Sequence, residues 1–434
     1  MRRFSILLIS IFIFINVFAE DSLTIQQAIH FAINNNFGVV ISKNSIEIGK
    51  LNNSWANAGA YPTISATASK GLGINNIQQK LNSGADIKRN GAVNQNLNAG
   101  VNINWNVLNG FKLFATKKRL EELEKNGEYS FKSNLNQTIY TVVLSYYNIV
   151  KLNEQLKATA EQIQLYQDRL KIADMKYQVG SSAKYELLQA KVDLNEQESN
   201  MLSIRNSINQ AKATLYNIMG KPADTSYKVA DTIMINPIPD IVSVQNKINQ
   251  QNPDILFANS NLEILRQSRK EISAGRLPAV IVNGNYNFLR SSSGAGLTLY
   301  NQTYGPSGSI GLSVPIFTGG AIKRGLQIND IQLKNQELTI DQIKLTANNN
   351  AVAAFLNYKN ALDVVALEKN NLILNSENVF IAQQRFKELN ITSVELRTVQ
   401  LSYIDSENRL FNALYQAKIA ETELALLTGD IENL

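Results

Sequence analysis

Two stretches of this sequence, residues 111–178 and 321–387, run without a proline, and each holds a single interior glycine, Gly127 and Gly325. About 67 helical residues at 1.5 Å each extend roughly 100 Å, which no compact domain accommodates. Within the first stretch Leu120, Leu123, Phe131, Leu135, Ile139, Val142, Tyr146 and Ile149 recur at spacings of three and four, the seam of coiled-coil packing. Ala, Asn and Gln intervene on other faces. Such a helix suits the wall of a water-filled tube, or an antiparallel coiled coil with no lumen.

The chain is one unit written twice, and repeats decide architecture before any motif does. "ANAGAYP" ending at Pro62 matches "ISAGRLP" ending at Pro278, an offset of 216 (278 minus 62). From Gly110 and Gly319 onward the offset is 209 and holds for Asn148 with Asn357, Glu186 with Glu395, Leu187 with Leu396, and Gly220 with Gly429. The change of seven (216 minus 209) falls between Pro62 and Gly110, so a loop there absorbs the extra length, as surface loops do. Residues 221–240, with Pro222, Pro237 and Pro239, form the linker.

Each repeat carries two alternating segments. In "NLNAGVNINWNV", residues 96–107, Leu97, Ala99, Val101, Ile103, Trp105 and Val107 share one face and Asn or Gly the other. Ile64, Ala66 and Ala68 alternate with Thr and Ser in the segment before it. The second repeat places Val280, Val282, Tyr286 and Phe288 on one strand and Ile310, Leu312, Val314 and Ile316 on the next. This is the period of a strand with one apolar face, and about 10 residues cross a bilayer at barrel tilt. Residues 71–95 and 291–308 are then outward loops. Four strands cannot close, because membrane barrels begin at about 8 and every edge in lipid must be paired. Three chains supply twelve strands around a lumen lined by Asn, Ser and Thr, wider than the side-chain-filled interior of an eight-stranded barrel. A soluble sandwich is the competing reading of the same alternation.

These features predict a signal peptide at 1–19 and a first repeat at 20–220, with helix 22–57, strands 62–71 and 96–107, long helix 112–178 and return helix 183–219. The linker 221–240 leads to a second repeat at 241–429, with helix 241–273, strands 279–289 and 309–317, long helix 321–387, return helix 393–428 and a tail 430–434. The signal rests on Arg2 and Arg3, the apolar run 4–18, Val17 and Ala19, which together read as an export leader cleaved before Glu20. That run has about fifteen apolar residues, short of the roughly 20 that a spanning helix needs. Gly180 is suited to end the first long helix, with Ser181 or Ser182 capping the next; Leu389 and Asn390 take that place in the second repeat, with Thr392 or Ser393 as cap.

Composition excludes several classes. The absence of cysteine removes disulfides, thiolate metal sites, thiol nucleophiles and a lipid-anchoring cysteine. Net charge is +6, or +4 without Arg2 and Arg3, and the charges mix at helix-pairing spacings, so no nucleic-acid surface is expected. The single histidine, His30, sits on an apolar helix face and is expected to pack there. No enzyme, cofactor or metal site is expected.

The order of these parts, with "YP" before the first strand and "LNG" or "FTGG" after the second, closely resembles the TolC-like outer-membrane efflux proteins over essentially the whole chain beyond the leader. The resemblance implies a mixed α and β membrane protein of a Gram-negative bacterium, with two structural repeats per chain. It implies a homotrimer whose twelve-stranded outer-membrane barrel, set in lipid, continues into a periplasmic α-helical barrel. It also implies an exit duct for a tripartite efflux or type I secretion system, working with a periplasmic adaptor and an inner-membrane pump of RND, ABC or MFS type. In that family the helical tips read V-G-L or similar and receive the adaptor. Val179, Gly180 and Ser181 hold that place here, and Glu388, Leu389 and Asn390 hold it in the second repeat.

The same resemblance sets a gate at the tips, with acidic side chains six residues beyond the turn, at Glu186 and Glu395. Three copies of Glu395 would form an anionic ring favouring cations; alternatively both are first-turn carboxylates facing a helix dipole. A further inner aspartate of the family corresponds to Thr398, and a latching tyrosine and arginine correspond to Phe386 and Ile391. Without those hydrogen bonds the gate is held differently or less tightly. The competing function is an exported coiled-coil structural or adhesin-like protein without transport activity, which requires the four alternating strands to be coincidental.

Overall fold

The structure, a computed structural model, describes residues 22–224, 227–229, 232–295, 298–388 and 390–433, so the leader 1–19 and Leu389 lie outside the described residues. The first repeat runs β1 (Ser22–Leu23), α1 (Ile25–Asn35), α2 (Phe37–Asn52), β2 (Thr63–Lys80), β3 (Asp86–Asn109), α3 (Lys112–Gln178) and α4 (Lys184–Ile218). After β4 (Lys228–Val229) the second runs α5 (Ile241–Gln251), α6 (Pro253–Ala274), β5 (Ala279–Ser293), β6 (Tyr300–Ser313), α7 (Ala321–Lys387) and α8 (Ser393–Thr428), with a 3-10 turn at Ile431–Asn433. The chain forms two compact units. One holds Ser42–Lys132 and Pro253–Thr346; the other holds Ser133–Asn252 and Ala347 onward, with the residues up to Ile41.

In the first of these units the strands form one antiparallel sheet in the order β2-β3-β5-β6. Its register sorts the side chains by polarity. Ala66, Val101 and Tyr286 stand in one row, and Trp105, Val282 and Ile310 in another. The alternate rows are polar: Thr67 with Asn102, Asn104 with Asn283, and Ser291 with Asn96 are hydrogen-bonded at 3.4, 2.7 and 2.8 Å. Period-2 alternation in four strands thus gives one apolar and one hydroxyl-and-amide face.

The strands exceed the expected bounds. Residues 71–95 are not a loop: β2 and β3 stay paired to Lys80 and Asp86, and only 81–85 turn, with the Gly84 and Leu81 amides donating to Leu81 and Ala85 carbonyls. Residues 291–308 likewise hold the end of β5 and most of β6. Polar side chains do not stop a ladder made by backbone groups, and neither 71–95 nor 291–305 contains a proline. At the other end β6 stops at Ser313, before Pro315, so Val314 and Ile316 lie beyond it.

In the second unit Ile139, Val142, Tyr146 and Ile149 of α3 are fully buried, the seam of the helix. Leu123, on the part of α3 in the other unit, is exposed in this chain. His30 is exposed too, contrary to its expected packing role. Ile25, Ala28 and Ala32 carry the buried face of α1, and position 30 points away from it, beside the Asn34 amide.

The leading helix of each repeat is broken, where sequence patterning predicts one continuous helix. Asn36 ends α1; its Oδ1 accepts from the Gly38 and Val39 amides, capping α2, while its Nδ2 donates to the Ile218 carbonyl at 2.8 Å. Asn252 ends α5, its Nδ2 donates to the Leu427 carbonyl at 3.0 Å, and Pro253 opens α6, where a missing N–H is harmless. Both asparagines thus hold the last turn of a return helix, and the pairs keep the repeat offsets of 216 and 209.

Just beyond those turns Gly220 and Gly429 adopt left-handed backbone, φ 67° and 76°. A Cβ at Gly220 would collide with the Asn35 carbonyl. Gly220→Ala is therefore expected to lower stability by about 1–3 kcal/mol. Gly127→Ala, in open space within α3, should raise it by about 0.5–1 kcal/mol. Thermal unfolding of the detergent-purified protein reads both; two shifts of the same sign would contradict this account.

Candidate functional site at the helical tips

The turn between α3 and α4 is closed by its backbone. The Ser181 amide donates to the Lys176 carbonyl at 2.9 Å and the Gly180 amide to Tyr177 at 3.0 Å, with Gly180 at φ 72°. This pair of hydrogen bonds is the glycine-dependent helix stop. Neither serine caps α4: Ser181 Oγ turns back to the Lys176 carbonyl, Ser182 Oγ has no partner among the described residues, and Ala183 is the N-cap, without a side-chain bond. Competition from the carbonyls left at the end of α3 takes the Ser181 hydroxyl away. Val179 and Ser181 are exposed at this turn, and Glu186, partly buried, lies in the first turn of α4.

At the second tip the Asn390 amide donates to the Arg385 carbonyl at 2.8 Å, the counterpart of Ser181 to Lys176 at the 209 offset. Here α8 is fully capped. Thr392 Oγ1 accepts from the Glu395 amide at 3.2 Å, and the Glu395 carboxylate accepts from the Thr392 amide at 2.7 Å and hydroxyl at 2.9 Å. This reciprocal pair is a capping box. Those bonds, the backbone one first, hold the Glu395 carboxyl below the usual carboxylate range, with a further contribution from Arg385. Glu395 and Thr398 are exposed, and the Thr398 hydroxyl donates to the Val394 carbonyl at 3.0 Å.

Phe386 is 1% exposed, so its ring lines no surface of the chain. It packs with Ala382 and Leu396 against Ile172, Ile391 and Val399, drawing α3, α7 and α8 together. The Lys176 ammonium stands 3.9 Å from its ring centroid, and burial lowers that lysine's pKa. Positions that latch through hydrogen bonds in the resembling family are joined here by apolar packing.

Sequence reasoning missed a charge network behind this cluster. Arg169 of α3 donates to Asp193 of α4 at 2.9 Å and to Ser393 of α8 at 3.2 Å. Arg397 approaches the same carboxylate oxygen at 3.1 Å, and Gln189 donates to the other at 2.7 Å. The Arg169 and Asp193 side chains are 2% and 4% exposed. Arg169 Nε and the Gln400 amide find no protein partner among the described residues, but both residues line a cavity of about 30 Å³. That space suffices for a bridging water. The one sequence signal is an arginine in step with the buried seam positions Tyr166 and Ala173. Its partners lie 24 and 224 residues away and cannot be read locally.

Asp193→Asn should destabilise this unit by about 3–5 kcal/mol, since it strands buried guanidinium charge. Replacing the pair with apolar residues, Arg169→Met with Asp193→Leu, should recover much of that. Denaturant midpoints test this, and a single-variant loss below about 1 kcal/mol would contradict a buried ion pair.

Residues 49–221 and 244–430 match the family model described as outer membrane efflux protein. "Toxin and drug export protein A" of Aggregatibacter actinomycetemcomitans is 20% identical over 305 residues, 70% of this chain but only 64% of that protein. The channel-forming CusC shares the fold at a TM-score of 0.76, with 17% identity over 93% of this chain and 91% of CusC. The Campylobacter jejuni CmeC outer membrane channel does so at 0.76 and 17%, over 94% of this chain and 86% of CmeC. With the family model spanning both repeats, the chain belongs to the outer membrane efflux protein family, the TolC-like channels of the Gram-negative outer membrane.

Proposed function

We infer that the chain is one protomer of a homotrimeric exit duct, a passive conduit from an inner-membrane pump and periplasmic adaptor across the outer membrane. The observation that carries this reading is the sheet. One face is apolar from the helix end as far as the row of Ala68, Ala99, Phe288 and Tyr304, and the other is lined by Asn, Ser and Thr, while β2 and β6 each pair on one side only among the described residues. In hydrocarbon those edges must be satisfied by another chain, and three copies close twelve strands around a wet lumen. A second support comes from α7. Leu338, Leu345 and Val352, then Leu367, Leu374 and Ile381, repeat every seven residues and are all exposed in the single chain, as a seam awaiting a neighbouring helix would be.

The tips are the adaptor-docking surface in this reading, through Val179, Gly180, Ser181, Leu389 and Asn390. The gate takes Glu186 and Glu395, with Thr398 beside the latter and Phe386 acting by packing. Glu395 is exposed and ionised, so three copies around the axis would favour cations. The relative named as a toxin and drug export protein is in keeping with efflux or secretion of such cargo. The adhesin-like alternative has no observation in its favour.

Light scattering of the detergent-solubilised protein should give three times the chain mass, and a monodisperse monomer would defeat the shared barrel. In planar bilayers Glu395→Gln should lower cation preference without destabilising α8, because glutamine at that position keeps the capping box. Since the carboxyl is held below its ordinary range, preference in the unmodified channel should survive to lower pH than for a free glutamate and fade as protonation proceeds. Selectivity unchanged by the substitution would remove the ring.

A further inference from the structure

The strands of the sheet are antiparallel, so β2 and β5 begin, and β3 and β6 end, at the same end of the sheet. All four connections to helices therefore emerge there, while both hairpins lie at the other end. The apolar face has a boundary at each end. Toward the hairpins Lys70, Leu97 and Arg290 share a row, which brings two charges onto that face. Toward the helices it runs through Ile103 and Trp105 to a cluster of aromatic side chains.

That cluster is continuous with the apolar face. The Trp105 indole donates to the Ala60 carbonyl at 2.9 Å, which fastens the connector carrying Trp55 and Tyr61. Trp55 meets Phe114 edge-on at 6.0 Å, and Phe111 lies 6.4 Å from Phe114. None of the four is buried: Tyr61 is 64% exposed and Phe111 62%. Phe111 also holds left-handed backbone, φ 64°, alone among the described non-glycine residues. A bulky residue held in that conformation is strained, here with its ring kept outward.

The same end is basic. Residues 110–122 carry four lysines and arginines, 263–278 four and 318–330 two, against the five carboxylates of Glu121, Glu122, Glu263, Glu271 and Asp330. Arg119 is paired with Glu271, Lys117 with Glu121 and Arg269 with Asp330. Lys118 and Lys270 have no ion pair among the described residues, and both line a cavity of about 320 Å³ with Phe111, Phe114, Leu277 and Gln267. Gln267 is 4% exposed; its Nε2 donates to Glu263, and its Oε1 has no partner among the described residues. The cavity thus combines two ammonium groups outside any ion pair among the described residues, Lys270 with the Glu263 carboxylate in its field, a buried acceptor awaiting a donor, and an apolar wall of Phe111, Phe114 and Leu277.

We propose that this cavity is a binding site for an anionic phospholipid of the periplasmic leaflet with a hydroxylated headgroup, phosphatidylglycerol. Lys118 and Lys270 hold the phosphodiester, Gln267 Oε1 accepts a glycerol hydroxyl, and the acyl chains lie on Phe111, Phe114 and Leu277. Aromatic rings at the headgroup level and basic side chains on an anionic leaflet are general features of membrane boundaries; the buried amide adds a preference among anionic lipids. The inference rests on the membrane-spanning reading of the sheet.

The test is native mass spectrometry of the protein released from nanodiscs containing phosphatidylglycerol, phosphatidic acid, phosphatidylethanolamine and phosphatidylcholine in equal amounts. Phosphatidylglycerol should be retained over phosphatidylcholine. Lys118→Gln with Lys270→Gln, both at exposed positions, should cut retention of both anionic lipids about tenfold. Gln267→Leu should lower phosphatidylglycerol and leave phosphatidic acid unchanged. Equal retention of all four lipids, or a preference untouched by the lysine variants, would overturn the proposal, as would displacement by millimolar inorganic phosphate, which indicates a free-phosphate site. A protein that enters nanodiscs but shows no lipid preference sinks this inference alone; one that cannot be inserted sinks the spanning reading with it.

Discussion

A backbone N–H or C=O without a partner in hydrocarbon costs several kcal/mol, and β2 and β6 each pair along one edge only among the described residues. That requirement organises the rest of the chain. In the proposed trimer neighbouring copies would meet both edges, and the alternation that would turn apolar side chains to lipid would turn Asn, Ser and Thr toward the enclosed space. The antiparallel order then sends every helix from one end of the sheet. Aromatic and basic residues gather at that end, where an apolar surface gives way to a polar one.

At the helical tips the same duplicated design is closed by two different chemistries. The first tip relies on Gly180 and backbone bonds, and leaves α4 without a side-chain cap. The second has the Thr392 and Glu395 capping box, so one carboxylate both starts α8 and sets charge on an exposed surface. Behind them Phe386 joins three helices by packing, and Arg169 joins three through Asp193 and Ser393. A buried ion pair is weak as a source of stability but demanding of geometry. Next to that apolar cluster, it ties α3, α4 and α8 through directional bonds.

Much of the fold was legible because its signals are periodic. Alternation from Leu97 to Val107 can be satisfied only by a strand with unlike faces, and long runs without proline and almost without glycine give a helix no reason to stop. Sequence patterning misplaces elements where a single side chain overrides the period. Asn36 ends one helix and caps the next with the same amide while bonding the Ile218 carbonyl, and nothing within the local pattern announces that partner. Asn252 followed by Pro253 did carry a local signal, the pre-proline restriction on helical backbone. The hairpins outran their expected length because composition marks loops by polarity, whereas a ladder depends on backbone groups that polar residues also possess.

Repetition and periodicity in the amino-acid order settled two copies of one unit, four strands with unlike faces, helices too long for a globule, and the turn positions at Gly180 and Asn390. These are properties of residues near one another in the chain, where backbone geometry alone converts spacing into structure. Tertiary structure decided which side chains became buried and with whom. His30 faces outward, Phe386 inward, Ser181 bonds backward, and Arg169 meets Asp193 and Ser393 across 24 and 224 residues. Burial and pairing depend on distances between separate helices, and those exist only once the helices have packed.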